Sequence, residues 1–229
     1  MKLSLNLSQL CDYVTKQMEF YLPDGYEIQE EMFVNSVVTA LQRCEKCFSH
    51  IKIPGYKNGK EVTFSHLHMD QYATFLFFLG NSMWKKYNEK HICDKILNLN
   101  RILNGFFISY KCSMPEIFMF NHPIGSVIGN ANYSNGLCIS QNVTINTHTD
   151  VNGNFDLTIG KGCFLASGAK IIGNSPIGDR VSIGVDALVY NTGIGNDCIC
   201  INDSKDGIVI KPRRREKCVA ENIFDINFG

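Results

Sequence analysis

His122 is the histidine whose surroundings in the sequence best suit acid–base chemistry. It begins the segment His-Pro-Ile-Gly and lies upstream of a run of regularly spaced aliphatic residues. An imidazole can take a proton from a hydroxyl within hydrogen-bond reach and return it later in a reaction. Taken alone, a histidine before a proline is more often an ordinary surface residue, so the case for His122 depends on the fold around it.

Other chemistries find less support in the residues. Cys44 and Cys47 form a C-x-x-C pair, but the pair falls within a helical pattern and no second pair is nearby, so two ordinary helix cysteines are preferred over a metal or redox site. No set of His, Cys and Asp residues has the spacing of zinc ligands. The sequence also lacks a P-loop and a G-x-G-x-x-G motif. We therefore expect no metal ion and no nucleotide site of these kinds.

The residues downstream of His122 repeat at a strict six-residue step. The repeating aliphatic positions are Ile159, Leu165, Ile171, Ile177, Ile183 and Val189. This period fits neither a helix of 3.6 residues per turn nor a strand closed by hairpins. It is typical of a parallel β-helix, in which short strands joined by tight corners each point one aliphatic side chain inward.

The first half of the chain shows helical spacing instead. Apolar residues recur every three or four positions, which predicts one helix before the turn at 23–25, a second around 32–44, a third from about 66 to 87 and a fourth over 88–104. Gly105 is a candidate C-cap of the fourth helix. The prediction is an α+β protein with an α-helical domain over 1–105, a left-handed parallel β-helix over 106–210 and a C-terminal tail over 211–229.

Composition excludes several classes of partner. The net charge is zero, so no overall attraction to nucleic acid or to an anionic membrane is expected. No apolar run approaches the roughly 20 residues of a membrane-spanning helix. We expect no signal peptide in the first residues, because Asp12 interrupts their apolar stretch. The ten cysteines are scattered, several of them at apolar positions, which predicts buried thiols and a cytoplasmic protein.

Three segments resemble the hexapeptide-repeat acyltransferases, and in particular bacterial serine acetyltransferase. They are residues 120–129, 139–145 and 168–174. In that family three hexads make one triangular coil, so Ile159, Ile177 and the residue near 195 should stack along one edge. The resemblance also implies a homotrimer, acetyl-coenzyme A as the co-substrate, and transfer of its acetyl group to a hydroxyl with His122 as the general base.

The sequence departs from the family around His122. Asn121 stands where the family has an aspartate, and Phe155 and Asp156 stand where it has an Arg-His pair. A second aspartate, which orients the catalytic histidine in the family, aligns near Phe107. Glu116 is the nearest acidic residue before His122 and is the candidate replacement. Because a serine pocket should keep charged partners, these changes favour a neutral acceptor such as a sugar or glycan precursor.

The resemblance assigns further residues to binding. The positions that would line the coenzyme A groove are Ala166, Ser167, Gly168, Gly184 and Val185. Their small size has an alternative explanation, since glycines also serve the tight corners of the coil. Arg213 and Arg214 are candidates for the phosphates of the co-substrate, or belong to a solvated basic tail. His148 and Asp156 are candidates for the acceptor pocket, although an exposed loop histidine is an alternative for His148.

The sequence therefore predicts an acetyl-coenzyme A-dependent O-acetyltransferase that acts on a sugar or glycan precursor by direct attack, without an acyl-enzyme. Two alternatives stay open. One is a serine O-acetyltransferase of cysteine biosynthesis whose sequence has diverged. The other is a non-catalytic hexapeptide-repeat scaffold, which would have no use for His122 at the start of its coil.

Overall fold

The computed structural model describes residues 1–146, 157–203, 205 and 207–229. Its first half consists of helices and one small sheet. In chain order the elements are β1 (Lys2–Leu3), α1 (Leu7–Tyr21), α2 (Glu30–Ser49), β2 (Lys57–Asn58), β3 (Glu61–Phe64), α3 (Met69–Tyr87) and α4 (Lys90–Asn104). The four predicted helices are confirmed. The small sheet, in the order β1-β3-β2, was not predicted, because two of its strands are only two residues long.

Local sequence explains where the helices begin and end. Asn6 caps α1 through a reciprocal pair of hydrogen bonds with Gln9, the capping box. Gly105 closes α4 in the left-handed conformation with φ of 65°, as the sequence predicts. Leu3, which the spacing assigns to the first helix, instead lies in β1 and pairs with Phe64. The first helix therefore begins four residues later than its apolar spacing indicates.

The second half is built from short strands. They are β4 (Phe107–Ile108), β5 (Phe118–Phe120), β6 (Val127–Ile128), β7 (Asn132–Tyr133), β8 (Leu137–Ile139), β9 (Thr144–Asn146), β10 (Thr158–Ile159), β11 (Phe164–Leu165), β12 (Lys170–Ile172), β13 (Ser182–Ile183), β14 (Leu188–Tyr190), β15 (Cys198–Asp203) and β16 (Gly207–Pro212). A short helix, α5 (Val219–Ile223), follows them.

The strands stack into the three faces of a parallel β-helix. One face is β5-β8-β11-β13-β15, the second is β4-β6-β9-β12-β14, and the third contains β7 and β10. On the third face Ile159 bridges to Ile177 and Ile177 to Ile194. The predicted stacking of every third hexad is thereby confirmed, with Ile194 as the third member. The predicted fold class, helices followed by a parallel β-helix, is also confirmed.

The inward aliphatic residues form the core of the coil. Ile139, Leu165 and Ile183 stack on one face and are each 0% exposed. Burying one such side chain contributes roughly 1.5–3 kcal/mol relative to leaving it in water. Repetition of this contact over successive coils stabilises the β-helix without long strands.

The cysteines of the described residues are free thiols, and all but Cys198 are buried. Cys47, in the C-x-x-C segment, donates its S–H to the carbonyl of Phe118 at 3.1 Å. Burial raises the pKa of the Cys47 thiol to about 12. A thiol with so high a pKa is a poor nucleophile and metal ligand, so the helix-cysteine interpretation fits the structure.

The chain turns back at the end of the coil. Strand β16 pairs antiparallel with β15, and α5 follows on the way back to the helices. Phe224 then bridges to Ile51. Phe228 packs over Gly136 and Gly162, where a Cβ on either glycine would overlap its ring. The last segment therefore joins the helical half to the outer surface of the coil. None of the helices in the described residues has the length and apolarity needed to cross a membrane.

Candidate active site

One edge of the coil carries His122 together with most of the residues predicted to bind coenzyme A. We call it the His122 edge; its corners are residues 121–126, 140–143, 166–169 and 184–187. Register establishes the alignment, because Phe120 pairs with Ile139, Ile139 with Leu165, and Leu165 with Ile183. Successive strands lie about 4.8 Å apart, so the groove corners 166–169 and 184–187 lie two and three steps from the His122 corner on one surface.

The corner that holds His122 is longer than the other corners of this edge. Residues 121–126 separate β5 from β6, whereas only 140–143 separate β8 from β9, although the flanking strands stay in register. The extra residues let His122 stand out from the coil with φ of 52°, in the left-handed region. Few residues other than glycine adopt this region, but histidine is among those enriched there. The side chain of His122 is 73% exposed in the single chain.

Asp70 holds the imidazole of His122. It lies in the first turn of α3, and its side chain is only 6% exposed. The Oδ2 atom lies 3.1 Å from Nδ1 of His122, and Oδ1 accepts a hydrogen bond from the backbone N–H of the same residue at 3.1 Å. A carboxylate within ion-pair distance of Nδ1 favours the tautomer with the ring proton on that nitrogen, which leaves Nε2 free to accept a proton. The pair has the arrangement expected of an oriented general base.

The prediction that Glu116 is the partner of His122 is wrong in this structure. Its carboxylate accepts a hydrogen bond from Nη2 of Arg43 at 3.1 Å. Glu116 lies before β5, and the strand carries the chain away from it before His122 is reached. The carboxylate that lies beside His122 is instead that of Asp70, 52 residues earlier in the chain. Asn121, adjacent to the base, is half-buried, and its backbone N–H bonds to the carbonyl of Ile139.

The small residues of the His122 edge fit closely against the next coil. A Cβ on Gly184 would lie 3.0 Å from the carbonyl oxygen of Cys200, and one on Gly168 would overlap the carboxylate of Asp186. Packing therefore explains both glycines. Ala166 is 8% exposed, whereas Val185 is largely exposed. Together with half-buried Ser167, these residues give the edge a low profile against which a thin, extended ligand could lie.

The basic residues of the tail lie elsewhere in the single chain. Arg213 donates from Nη2 to Asp197 Oδ1 at 2.5 Å, and the same carboxylate binds Arg180. The backbone bonds Asp197–Asp179 and Arg180–Lys161 belong to another edge of the coil. Within one chain, Arg213 is thus neutralised and is not at the His122 edge. Arg214 is exposed.

Only part of the region predicted to form the acceptor pocket belongs to the described residues. His148 and Asp156, the two residues predicted for the acceptor pocket, lie outside the described residues, as does Phe155. Three exposed apolar side chains lie within three residues of Asp70 or His122 in the sequence: Leu67, Met69 and Ile124. In the described part of the chain, no group of three or more His, Cys, Asp or Glu side chains could hold a metal ion.

Helices followed by a three-faced β-helix define a hexapeptide-repeat protein, and in this one a buried carboxylate lies beside an exposed imidazole at a long corner of the coil. Comparison with known proteins leads to serine acetyltransferases. The chain is 29% identical over 152 residues to serine acetyltransferase from Synechococcus elongatus, a match that covers 65% of this chain and 59% of the relative. It is 25% identical over 123 residues to the enzyme from Staphylococcus xylosus, covering 53% and 56%.

The fold comparison agrees. The crystal structure of serine acetyltransferase (CysE) from Neisseria gonorrhoeae superposes with a TM-score of 0.69 at 16% identity, covering 95% of this chain and 83% of that one. This likeness shows the fold, a left-handed β-helix behind a helical half. The chain is thus serine acetyltransferase-like in sequence and fold. It spans less than two thirds of the length of the two curated relatives. No protein-family model matches the chain.

Sequence reasoning singled out His122 as the candidate base and missed the carboxylate that lies beside it. Asp70 carries no local motif, because it comes from the helical half and reaches His122 only through the packing of α3 against β5. One signal was available: Asp70 is a charged residue at the start of a helix whose following residues are almost all apolar or small. An acidic residue at a helix N-terminus is usually explained by the helix dipole alone. The sequence therefore offered no reason to connect it with the coil.

Proposed function

We propose that the protein is an acetyl-coenzyme A-dependent O-acetyltransferase that uses L-serine as its acceptor. The single observation that carries the acyl-transfer reaction is the His122–Asp70 pair on the edge that also holds the small residues of the predicted groove. The serine acceptor rests on the curated relatives, which are serine acetyltransferases. They favour this alternative over the sugar or glycan acceptor that the altered residues around His122 suggested, and a role in polysaccharide synthesis finds no support.

The chain's own residues account for the proton transfer. Nε2 of His122 takes the proton of the acceptor hydroxyl as its oxygen attacks the thioester carbonyl carbon. The carbon–sulfur bond then breaks, the thiolate of coenzyme A leaves, and the proton passes from the imidazolium to the sulfur. Asp70 holds the Nδ1 proton throughout and stabilises the charged ring. No protein nucleophile is needed, because the acceptor attacks directly.

Co-substrate binding is proposed along the His122 edge. The low profile of Ala166, Ser167 and Gly168, next to Gly184 and Val185, suits a narrow pantetheine arm whose thioester must reach His122. The proposal also retains a homotrimer. It is supported by exposed apolar side chains on the outer side of a single face, namely Val127 (46%), Leu188 (47%) and Tyr190 (63%). Burial of these side chains between subunits would remove apolar area from water.

The test measures release of free thiol from acetyl-coenzyme A with L-serine and, separately, with a panel of nucleotide sugars and glycans. We expect turnover with serine, and a loss of about 10²–10⁴-fold in the variant His122→Ala, which is the usual contribution of a general base. His91→Ala is the matched control, because His91 is also exposed to solvent and also pairs with a carboxylate, that of Asp24.

Each outcome is informative. Turnover with a sugar and none with serine would overturn the serine acceptor while keeping the acetyl transfer. Unchanged turnover in His122→Ala would remove His122 from the mechanism. No turnover with any acceptor, together with no binding of coenzyme A, would favour the non-catalytic scaffold.

A further inference from the structure

A cleft of about 350 Å³ lies between α2 and α3 in the helical half, away from the His122 edge. The residues that line it lie on one side of each helix, because those of α2 and those of α3 are spaced three and four positions apart. The lining residues are Ser36, Thr39, Arg43, Ser82, Lys85, Lys86 and Glu116. None of them belongs to the corners of the His122 edge.

Arg43 is held rigidly at this cleft. Its side chain is 14% exposed, and Nη1 donates to Asn81 Oδ1 at 2.8 Å and to Ser82 Oγ at 3.1 Å. The guanidinium also lies 4.1 Å from the centre of the Phe78 ring. The side chain therefore loses little further freedom when a ligand binds, which lowers the entropic cost of binding.

Positive charge in the cleft exceeds negative charge. Arg43, Lys85 and Lys86 are opposed by the single carboxylate of Glu116, which is 38% exposed. Burial, followed by the charge of Arg43, lowers the pKa of the Lys85 ammonium. The hydroxyls of Ser36 and Thr39 bond back to carbonyls of α2, so they do not balance the cations. An anion in the cleft would relieve the repulsion between Arg43 and Lys85.

We propose that this cleft is a binding site for a phosphate group, either inorganic phosphate or the terminal group of a small phosphate monoester. Nη2 of Arg43 and the neighbouring lysine ammonium groups can donate charge-assisted hydrogen bonds to a tetrahedral dianion, and two unbalanced positive charges match its charge. Glu116 competes with the ligand for Nη2 of Arg43. This proposal does not rest on the acetyltransferase function, because binding is measured without turnover.

The test follows the thermal unfolding midpoint while inorganic phosphate is added and sodium chloride is reduced to keep the ionic strength constant. A ligand that binds only the folded state raises the midpoint as its concentration exceeds Kd. We expect phosphate to raise the midpoint of the wild-type protein. The variant Lys85→Gln should need at least about tenfold more phosphate for the same rise, since a charge-assisted hydrogen bond is lost. Lys16→Gln, which removes an exposed charge on α1, is the control and should behave as wild type.

Glu116→Gln supplies a second and opposite readout. Removing the competing carboxylate should lower the phosphate concentration needed for the same rise by at least about threefold. The proposal is overturned if phosphate has no effect beyond that of sodium chloride, or if Lys85→Gln responds as wild type does, which would locate the phosphate elsewhere. Weaker phosphate binding in Glu116→Gln would also overturn it. Adenosine monophosphate in place of phosphate then distinguishes a monoester site from one for the free ion.

Discussion

Replacing Asp70 by asparagine changes one atom of the carboxylate and leaves its shape intact. In Asp70→Asn, the amide oxygen can still accept the hydrogen bond from the backbone N–H of His122, now made to Oδ1 at 3.1 Å. The amide nitrogen then takes the place of Oδ2, 3.1 Å from Nδ1. An N–H group facing Nδ1 requires that nitrogen to be an acceptor, which moves the ring proton to Nε2. Nε2 is the atom that must be free to take the proton of the acceptor hydroxyl.

The size of the effect follows from this change of tautomer. A positioned general base contributes typically 10²–10⁴ to the rate. Because most molecules of Asp70→Asn hold the imidazole in the wrong tautomer, we expect kcat to fall by at least about 10²-fold, which is about 2.7 kcal/mol in activation free energy. The KM for acetyl-coenzyme A should be unchanged. The free energy of unfolding should change by less than about 1 kcal/mol, since the backbone hydrogen bond to His122 is kept.

Thiol release with L-serine, measured for four proteins, distinguishes a role of Asp70 in positioning His122 from a role in the stability of the fold alone. The proteins are wild type, Asp70→Asn, His122→Ala and the double variant. If Asp70 acts through His122, adding Asp70→Asn to His122→Ala should cause no further loss. Asp12→Asn, which alters an exposed carboxylate on α1, is the control for loss of charge. A kcat for Asp70→Asn within about threefold of wild type, or full additivity in the double variant, would refute the reasoning.

Three further predictions concern the coil. Ile171→Ala, which empties a position stacked in the coil core and 2% exposed, should lower the free energy of unfolding by roughly 2–5 kcal/mol in urea denaturation. Gly168→Ala should lower the thermal midpoint, because φ is +72° there and the new Cβ would overlap the Asp186 carboxylate; an unchanged midpoint would contradict the corner geometry. The guanidinium groups of Arg180 and Arg213 lower the pKa of Asp197 below its ordinary value of 3.8. The ionised carboxylate therefore stabilises the fold at pH values above 3.8, and this contribution is lost as the pH falls towards the folded-state pKa. In urea denaturation at pH 6, the wild type should therefore be more stable than Asp197→Asn by about 1 kcal/mol. The difference is small because the Asp197 side chain is 41% exposed, and it should shrink below about pH 4.

The sequence predicts the coil well because its energetics are local and periodic. Each hexad needs one inward aliphatic residue, and within the uninterrupted hexads the stacking partner lies 18 residues away, as for Leu165 with Ile183 and Ile171 with Val189. The same spacing places the groove residues Ala166 and Gly184 on one edge. His122 joins that edge through the register of Phe120 with Ile139 and of Ile139 with Leu165. Where the period breaks, as in the long corner at His122, the sequence shows an interruption and gives no indication of its geometry.

The sequence predicts the individual helices of the first half but not how they pack against each other and the coil. Apolar spacing locates α1 to α4, but it carries no information about which helix faces the coil. That choice is made by shape, through contacts such as Phe78 with Phe118, whose ring centres are 5.4 Å apart. The small sheet of β1, β2 and β3 was missed for a related reason. Two-residue strands have no period of their own, and Lys2–Leu3 is extended only because β3 lies beside it.

The His122–Asp70 pair makes the proposed chemistry depend on the joint between the two halves of the chain. The imidazole is supplied by a corner of the coil and the carboxylate by the first turn of α3, so neither half alone contains an oriented base. The position of α3 is in turn fixed by aromatic contacts with β5, the strand that leads directly into the His122 corner: Phe77 lies 6.0 Å from Phe118 and 6.4 Å from Phe120 between ring centres. A change in that packing would move Asp70 relative to Nδ1 without touching either residue. The aromatic residues of the joint are therefore part of the support of the site, and a partner for the base that is absent from the coil sequence can be provided by packing instead.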